Sequence, residues 1–223
     1  MKRKFLVGLL VTAMVVAMTG CGNGAEAGNE AADAGTQIEV ETEVATEIET
    51  ETEAGAVGVV AVADPIQAVA DANGNYVVNG SFEEIDFTGW TVTNVDDVTE
   101  ELDIYTRATD CYEGVQSLHF YSGSSTIDFT AEQTLTGLED GTYKLTAYTQ
   151  GDTAGDANSK VYFYAIVNGE TLTVDGQLNG YVNWYQAELG GINVTGGEIT
   201  IGVCVQNAAG GWGTIDNITL VKE

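Results

Sequence analysis

The chain has 223 residues, of which 34 are acidic and 7 are basic, so its net charge is −27 at pH 7. Proteins bind nucleic acids and anionic lipid headgroups through clusters of Lys and Arg, and this composition argues against both kinds of partner. The charge is typical of a soluble, weakly self-associating protein that we expect to be a monomer.

The N-terminus predicts a signal peptide at residues 1–20. After a basic start, the apolar stretch Phe5–Ala17 is shorter than the roughly 20 residues that a spanning helix needs. Small residues precede Cys21 where this stretch ends, which resembles the bacterial lipobox, whose cysteine is diacylated. Two acyl chains suffice for stable anchoring. We expect a bacterial lipoprotein anchored outside the cytoplasm by lipid at Cys21. An ordinary secretory signal with a chance cysteine is the alternative that we disfavour.

The next segment, residues 21–72, is predicted to be a flexible acidic linker. Its Thr/Glu/Val repeat, Glu39–Glu53, lacks basic and aromatic residues, so it cannot bury enough apolar surface to offset the entropy of ordering. Like charges keep such a segment extended. Val57–Val62 and Pro65–Ala72 lead into the domain without a firm structural assignment. We place the domain at residues 73–223.

The domain alternates apolar and polar residues with the period of two that is typical of strands. In Thr142–Gln150, for example, Tyr143, Leu145 and Ala147 share one face. Gly-rich and Asn-Gly turns separate the candidates, and no segment shows helical periodicity over three turns. The pattern predicts an all-β, antiparallel β-sandwich of the jelly-roll type. The remaining candidates are Trp90–Asn94, Leu102–Ala108, Ser117–Tyr121, Thr126–Thr134, Lys160–Asn168, Thr171–Val174, Tyr185–Leu189, Glu198–Gln206 and Thr214–Val221.

Several motifs carry a resemblance to a known family. They are Asn79–Glu83, Gly89–Thr91, Glu113–Leu118, Leu138–Tyr143, Tyr148–Asp152 and Gly210–Ile218. They resemble a carbohydrate-binding module with the galactose-binding-like jelly roll, and in particular the module appended to bacterial endo-β-1,4-galactanases. The galactanase barrel itself is absent, since such a barrel needs about 200 residues or more beyond this module.

The resemblance implies a structural calcium ion that joins the first strand to the last, with Glu83 and Asp216 as its side-chain ligands. Calcium prefers carboxylate and carbonyl oxygens. The alternative is that these acids are solvated or cap turns.

The resemblance also implies a glycan, a plant-type polysaccharide such as β-1,4-galactan, bound in an aromatic cleft. Sugar rings have apolar C–H faces and hydroxylated rims, so a cleft needs aromatic rings and polar groups. The alternation predicts five such side chains on one solvent-facing sheet surface, with Arg107 beside them. Trp184 and Trp212 are predicted in loops as exposed contacts. Cross-strand packing is the alternative for each tyrosine, and packing beside Asp216 for Trp212. The five are Tyr148, Gln150, Tyr162, Tyr164 and Gln206.

No catalytic constellation is evident. The lone histidine, His119, lies between apolar neighbours, which favours a structural role, and Trp90 is assigned to the core. A disulfide between Cys111 and Cys204 is left open, because spacing alone cannot place two cysteines within reach of each other. We therefore predict a non-catalytic, glycan-binding lipoprotein. The alternative is a structural or adhesion lipoprotein whose sandwich binds protein.

Overall fold

The computed structural model describes residues 58–84, 86–94 and 102–223. The predicted signal peptide, Cys21 and most of the acidic linker lie outside these residues. Within the described part of the chain, no helix is long and apolar enough to cross a membrane.

The described residues form a two-sheet β-sandwich, which confirms the predicted fold class. A short 3-10 helix, Ala108–Asp110, lies in the connection between two of the strands. The strands are β1 (Gly58–Ala61), β2 (Ile66–Gln67), β3 (Thr91–Asn94), β4 (Leu102–Tyr105), β5 (Ser117–Tyr121), β6 (Ile127–Thr136), β7 (Gly141–Asp152), β8 (Lys160–Val167), β9 (Glu170–Asp175), β10 (Gly180–Val194), β11 (Glu198–Asn207) and β12 (Trp212–Lys222).

The seven-stranded sheet has the order β1-β3-β6-β11-β8-β9, with β2 also paired to β6, and the five-stranded sheet has the order β10-β7-β12-β5-β4. All pairs are antiparallel except β2 with β6. The two-residue turn Asn168-Gly169 joins β8 to β9 with positive φ at both residues, as a tight hairpin requires.

The domain begins earlier than the sequence predicts. Residues 58–67, assigned above to the linker, contribute β1 and β2 to the seven-stranded sheet. These strands are only four and two residues long, so their alternation is too short to be recognised in a Val- and Ala-rich segment.

The core lies between the two sheets and contains the side chains that the alternation places there. Tyr143, Leu145 and Ala147 of β7 are buried against Val161, Phe163 and Ala165 of β8 and their neighbours. Trp90 is also buried, as predicted, and its indole N–H donates to the carbonyl of Asn79 at 3.0 Å. The polar side chains between these positions therefore face outward, on two surfaces that point in opposite directions.

Candidate functional site

The eight predicted sugar contacts do not share one cleft, which corrects the sequence prediction. Tyr148 and Gln150 lie on β7, in the five-stranded sheet, whereas Tyr162 and Tyr164 on β8 and Gln206 on β11 lie in the seven-stranded sheet. All five point away from the core, as the alternation predicts. Because the outer surfaces of a sandwich face opposite ways, no single glycan chain segment can contact both sets at once.

On the seven-stranded sheet, the predicted contacts form cross-strand pairs instead. Tyr164 is buried, its hydroxyl donates to the carboxylate of Glu132 at 2.6 Å, and its ring covers Gly202 so closely that a Cβ there would lie 2.4 Å from a ring carbon. Gln206 donates to Asp128 at 2.8 Å, and the ring of Tyr162 lies 6.1 Å from that of Tyr164. These contacts are those of sheet packing, the alternative stated above for the tyrosines.

The five-stranded sheet carries a different surface on its outer side. Three tyrosines, Tyr112, Tyr121 and Tyr181, are between 43% and 57% exposed, and all three lie on this side of the sandwich or on the segments above it. Sequence analysis did not select any of them. Tyr181 follows Gly180, and Tyr112 lies two residues before Gly114, both in segments without strand alternation, which is the sequence signal that could have indicated exposed rings.

A bulge in β10 brings two aromatic rings over this surface. Gly180 pairs with Gly151 and Tyr185 pairs with Thr149, so the four residues 181–184 stand opposite Gln150 alone. Such bulges bend a strand and redirect its side chains, and here Val182 has a φ of +56°. Trp184 and Trp212, predicted in loops, therefore lie within β10 and at the start of β12, and both are half-buried.

The rings on this side form two groups. In the first, Tyr112 stacks on Tyr148 with ring centroids 3.6 Å apart, and Trp184 meets Tyr112 edge-on at 5.7 Å. The hydroxyl of Tyr148 shares a hydrogen bond with that of Tyr112, and this bond together with burial raises the pKa of Tyr148 to about 12. In the second group, Tyr181 lies 6.1 Å from Trp212.

A third set of side chains lies at the β4 edge of the same sheet. The ring of Tyr105 stacks on His119 at 4.3 Å, and the guanidinium of Arg107 lies 4.9 Å above the Tyr105 ring. His119 also pairs with Asp103 at 2.8 Å. Arg107 is mostly exposed and has a further contact with Asp110 at 3.5 Å, so it can present a charged donor at the surface.

Two buried polar side chains form the floor between these groups. Gln150 is fully buried, so it is not the exposed cleft residue that the alternation suggests. Thr214, its register partner on β12, is also buried. Its hydroxyl is the one buried side-chain polar atom among the described residues that has no hydrogen-bond partner. Unpaired buried hydroxyls of this kind are uncommon in folded proteins.

Glu83 and Asp216 converge on the segment that carries Tyr112. One oxygen of the buried Asp216 accepts the N–H groups of Tyr112 and Glu113 at 2.7 and 3.1 Å. One oxygen of Glu83 accepts those of Val115 and Gln116 at 2.7 and 2.9 Å. This approach requires Gly114, because a Cβ there would lie 2.0 Å from the Glu83 carboxylate.

The two carboxylates fit a calcium ion in their chemistry. The pKa of Asp216 is raised to about 7, chiefly by burial and to a smaller extent by the charge of Glu83. The three main-chain N–H groups that hydrogen-bond to Asp216 lower its pKa and offset part of this effect. A cation bound there would offset the cost of burying the negative charge. The hydrogen bonds to Glu83 end on Oε1, so Oε2 is left for a ligand. The remaining ligands would be carbonyl oxygens, because the described residues contain no group of three or more acidic, His or Cys side chains.

The structure also shows the state of Cys111 and the position of a cavity. Cys111 is a free thiol, so it does not form the disulfide with Cys204 that was left open. A cavity of about 260 Å³ lies elsewhere, against Asn168, Thr195 and Glu198, and no aromatic residue lines it. The rings of the five-stranded sheet lie at the surface, with Tyr112 and Tyr181 about half exposed. We call the set Tyr112, Tyr148, Trp184, Tyr181 and Trp212 the aromatic platform.

Comparisons with known proteins agree with this architecture. No protein-family model and no curated protein matches the chain. Among solved structures, the carbohydrate-binding module TmCBM61 in complex with β-1,4-galactotriose is 25% identical, with a TM-score of 0.60 over 67% of this chain and 99% of that chain.

Two other solved structures are similar in fold. The enzymatically active domain of tailspike protein 4 from bacteriophage CBA120 is 14% identical, with a TM-score of 0.52 over 67% of this chain and 22% of that chain. A family 16 carbohydrate-binding module is 20% identical, with a TM-score of 0.46 over 66% of this chain and 100% of that chain. The likeness to TmCBM61 shows that the fold is a β-sandwich of the kind found in that carbohydrate-binding module.

Proposed function

We propose that the protein is a non-catalytic glycan-binding protein that uses the outer surface of its five-stranded sheet. The observation that carries this proposal is the set of rings on that surface, Tyr112, Tyr148, Trp184, Tyr181 and Trp212, of which Tyr112 and Tyr181 are about half exposed. Exposed rings grouped on one face of a soluble domain are typical of a binding site.

The chemistry of the surface suits a sugar chain. Half-exposed rings offer flat apolar faces to pyranose C–H groups, and an aromatic contact adds about 0.5–1.5 kcal/mol beyond the area it buries. Arg107 and the hydroxyls of Tyr121 and Tyr181 supply polar groups at the rim of the platform. An open platform accommodates the interior of a polysaccharide, whereas an enclosed pocket would select a chain end or a small molecule.

The first candidate ligand is a β-1,4-galactan. The solved module TmCBM61 carries β-1,4-galactotriose, and its likeness extends over nearly all of that module. The motifs that resemble the galactanase-linked module point to the same polysaccharide.

We also propose that the domain is displayed outside a bacterial cell on a lipid anchor at Cys21, and that calcium binds at Glu83 and Asp216. The anchor rests on the signal sequence, and the calcium on the buried carboxylate beside a second acid. When bound, the ion would neutralise the pair and join the segments of Glu83, Tyr112 and Asp216. Its role would be structural.

A glycan array with the purified protein tests the main proposal. We expect binding to β-1,4-galactan and to its oligosaccharides, and loss of that binding when Trp184 and Trp212 are both replaced by Ala. Binding to no glycan on the array, together with capture of a protein partner, would instead support the structural or adhesion function.

A further inference from the structure

We propose that Gln150 is the positioning residue of the aromatic platform: its one amide holds two of the segments that carry the platform's rings, the β10 bulge and the connection that bears Tyr112. This inference rests on the proposed glycan-binding function and refines it. It also gives a new role to a side chain that the sequence predicts as a direct sugar contact.

The hydrogen bonds of Gln150 reach both segments. Its Oε1 accepts the N–H of Val182 at 2.5 Å, which lies within the β10 bulge between Tyr181 and Trp184. Its Nε2 donates to the carbonyl of Asp110 at 3.4 Å, in the connection that leads to Tyr112. The Gln150 side chain is fully buried, although Val182 itself is exposed. A buried hydrogen bond is worth more than an exposed one, because an unpaired partner keeps its full desolvation penalty.

The bulge depends on this amide because its own ladder is interrupted. Residues 181–184 stand outside the regular pairing of β10 with β7, so their main-chain groups cannot all bond to β7. The Val182 N–H is held by the Gln150 side chain instead. The second bond of the same amide holds the connection above β7. The planar amide of Gln150 therefore sets the distance between the β10 bulge and the connection that carries Tyr112.

Burial prevents direct sugar contact by Gln150. The side chain has no solvent-exposed surface, and its amide oxygen and nitrogen each bond to a main-chain partner. The segments that contain Val182 and Asp110 also cover it. Gln150 thus acts on a bound glycan only through the position of the rings.

The chain provides a matched control in Gln133, a second buried glutamine. Its amide also joins main-chain segments, accepting from Val78 at 2.9 Å and donating to the carbonyls of Val78 and Gly89 at 2.8 and 3.1 Å. Gln133 lies on β6, in the seven-stranded sheet. Replacing Gln133 removes the same side-chain amide from the seven-stranded sheet, which carries none of the platform rings.

The experiment compares Gln150→Met with Gln133→Met in the purified protein, using β-1,4-galactotriose as the probe at a temperature where both variants are folded. We expect both substitutions to lower the melting temperature. Affinity for the trisaccharide should fall about tenfold or more for Gln150→Met and less than twofold for Gln133→Met. Hydrogen exchange should quicken at 107–116 and 180–184 in Gln150→Met only.

A second, neutral variant guards against misfolding. Gln150→Asn keeps an amide but shortens the side chain by one methylene, so it cannot hold Val182 and Asp110 at once. Exchange should quicken in at least one of the segments 107–116 and 180–184, with an intermediate loss of affinity. Equal losses of affinity in the two Met variants, or unchanged exchange at both segments in Gln150→Met, would overturn the inference. If the native protein binds no glycan, the proposed function fails, while the exchange data still decide whether Gln150 holds both segments.

Discussion

Tyr112 lies in the connection between β4 and β5, outside the regular strands, and its ring extends the aromatic surface that Tyr148 of β7 begins. One face of its ring lies on Tyr148, while 43% of the residue remains exposed to solvent. Tyr148 on β7 supports the ring of Tyr112, and the exposed face of Tyr112 is accessible to a ligand. The sequence does not distinguish these two kinds of tyrosine, one that packs beneath another ring and one that is exposed to solvent.

The first prediction concerns Tyr112→Ala and its control Tyr162→Ala. Removing the Tyr112 ring deletes contact area used mainly in the complex, so affinity for β-1,4-galactan should fall by up to about tenfold, the equivalent of roughly 1.4 kcal/mol. Tyr162, on the opposite outer surface, should leave affinity unchanged. Isothermal titration calorimetry measures both. A loss with Tyr162→Ala and none with Tyr112→Ala would place the site on the seven-stranded sheet.

A second prediction contrasts neighbouring positions of β7. Leu145 is 1% exposed and lies in the core, so Leu145→Ala should destabilise the domain by about 2–5 kcal/mol through lost contacts and a residual cavity. Lys144, next to it on the outer side, pairs with Glu188 near the surface at 3.5 Å, and Lys144→Ala should change stability by less than about 1 kcal/mol. Urea unfolding gives both values. Similar losses at the two positions would mean that β7 is not oriented as described.

At the scale of elements, sequence alternation predicted the strands and their faces but not the sheet to which each belongs. Tyr148 and Tyr162 both alternate with buried residues, so both are correctly placed outward. The sheet in which each strand pairs depends on long-range hydrogen bonds, which a period of two does not encode. That is why five side chains on two opposite surfaces looked like one cleft.

The positions of the platform rings were the feature hardest to predict from the sequence. The bulge at 181–184 keeps β10 within the sheet while breaking its alternation, so its residues resemble a Gly- and Asn-containing loop in the sequence. Tyr112 lies in the connection between β4 and β5, where position depends on the carboxylates of Glu83 and Asp216, far away in the chain. The resemblance supplied the function class and the acidic pair. The geometry of the rings needed the structure.

A third prediction concerns these carboxylates and calcium. An ion bound only by the folded state stabilises it by mass action, by about 2.7 kcal/mol at a concentration one hundred times its Kd. Chelation should therefore lower the melting temperature of the native protein. Asp216→Ala should melt low with or without calcium, because it also removes the acceptor of three main-chain N–H groups.

Glu139→Ala provides the control for calcium. Glu139 is an exposed acid paired with Lys222, so this variant should respond to chelator as the native protein does. Differential scanning fluorimetry with and without chelator measures all three proteins. A native protein whose melting temperature is the same in chelator and in excess calcium would remove the ion from the description of this site.

At the scale of the whole molecule, we propose that the sandwich binds the glycan and that the N-terminal segment links the sandwich to a lipid anchor. The described domain reaches back to Gly58, and between it and Cys21 lies an acidic segment without basic or aromatic residues. If Cys21 is lipidated, binding and anchoring would be carried by different parts of the chain.

The last prediction separates the anchor from the domain. Cys21→Ala should release the protein from the membrane fraction or leave its signal peptide uncleaved, because the acyl chains that would hold it can no longer be attached. Cys111→Ala is the matched control, since Cys111 is a free thiol within the described domain, and this variant should stay with the membrane. Cell fractionation followed by immunoblotting locates each variant. The released Cys21→Ala protein should bind β-1,4-galactan with native affinity, because the platform lies entirely within residues 102–223. Membrane retention of Cys21→Ala at the level of the native protein would refute lipidation at this cysteine and leave glycan binding to be judged on its own.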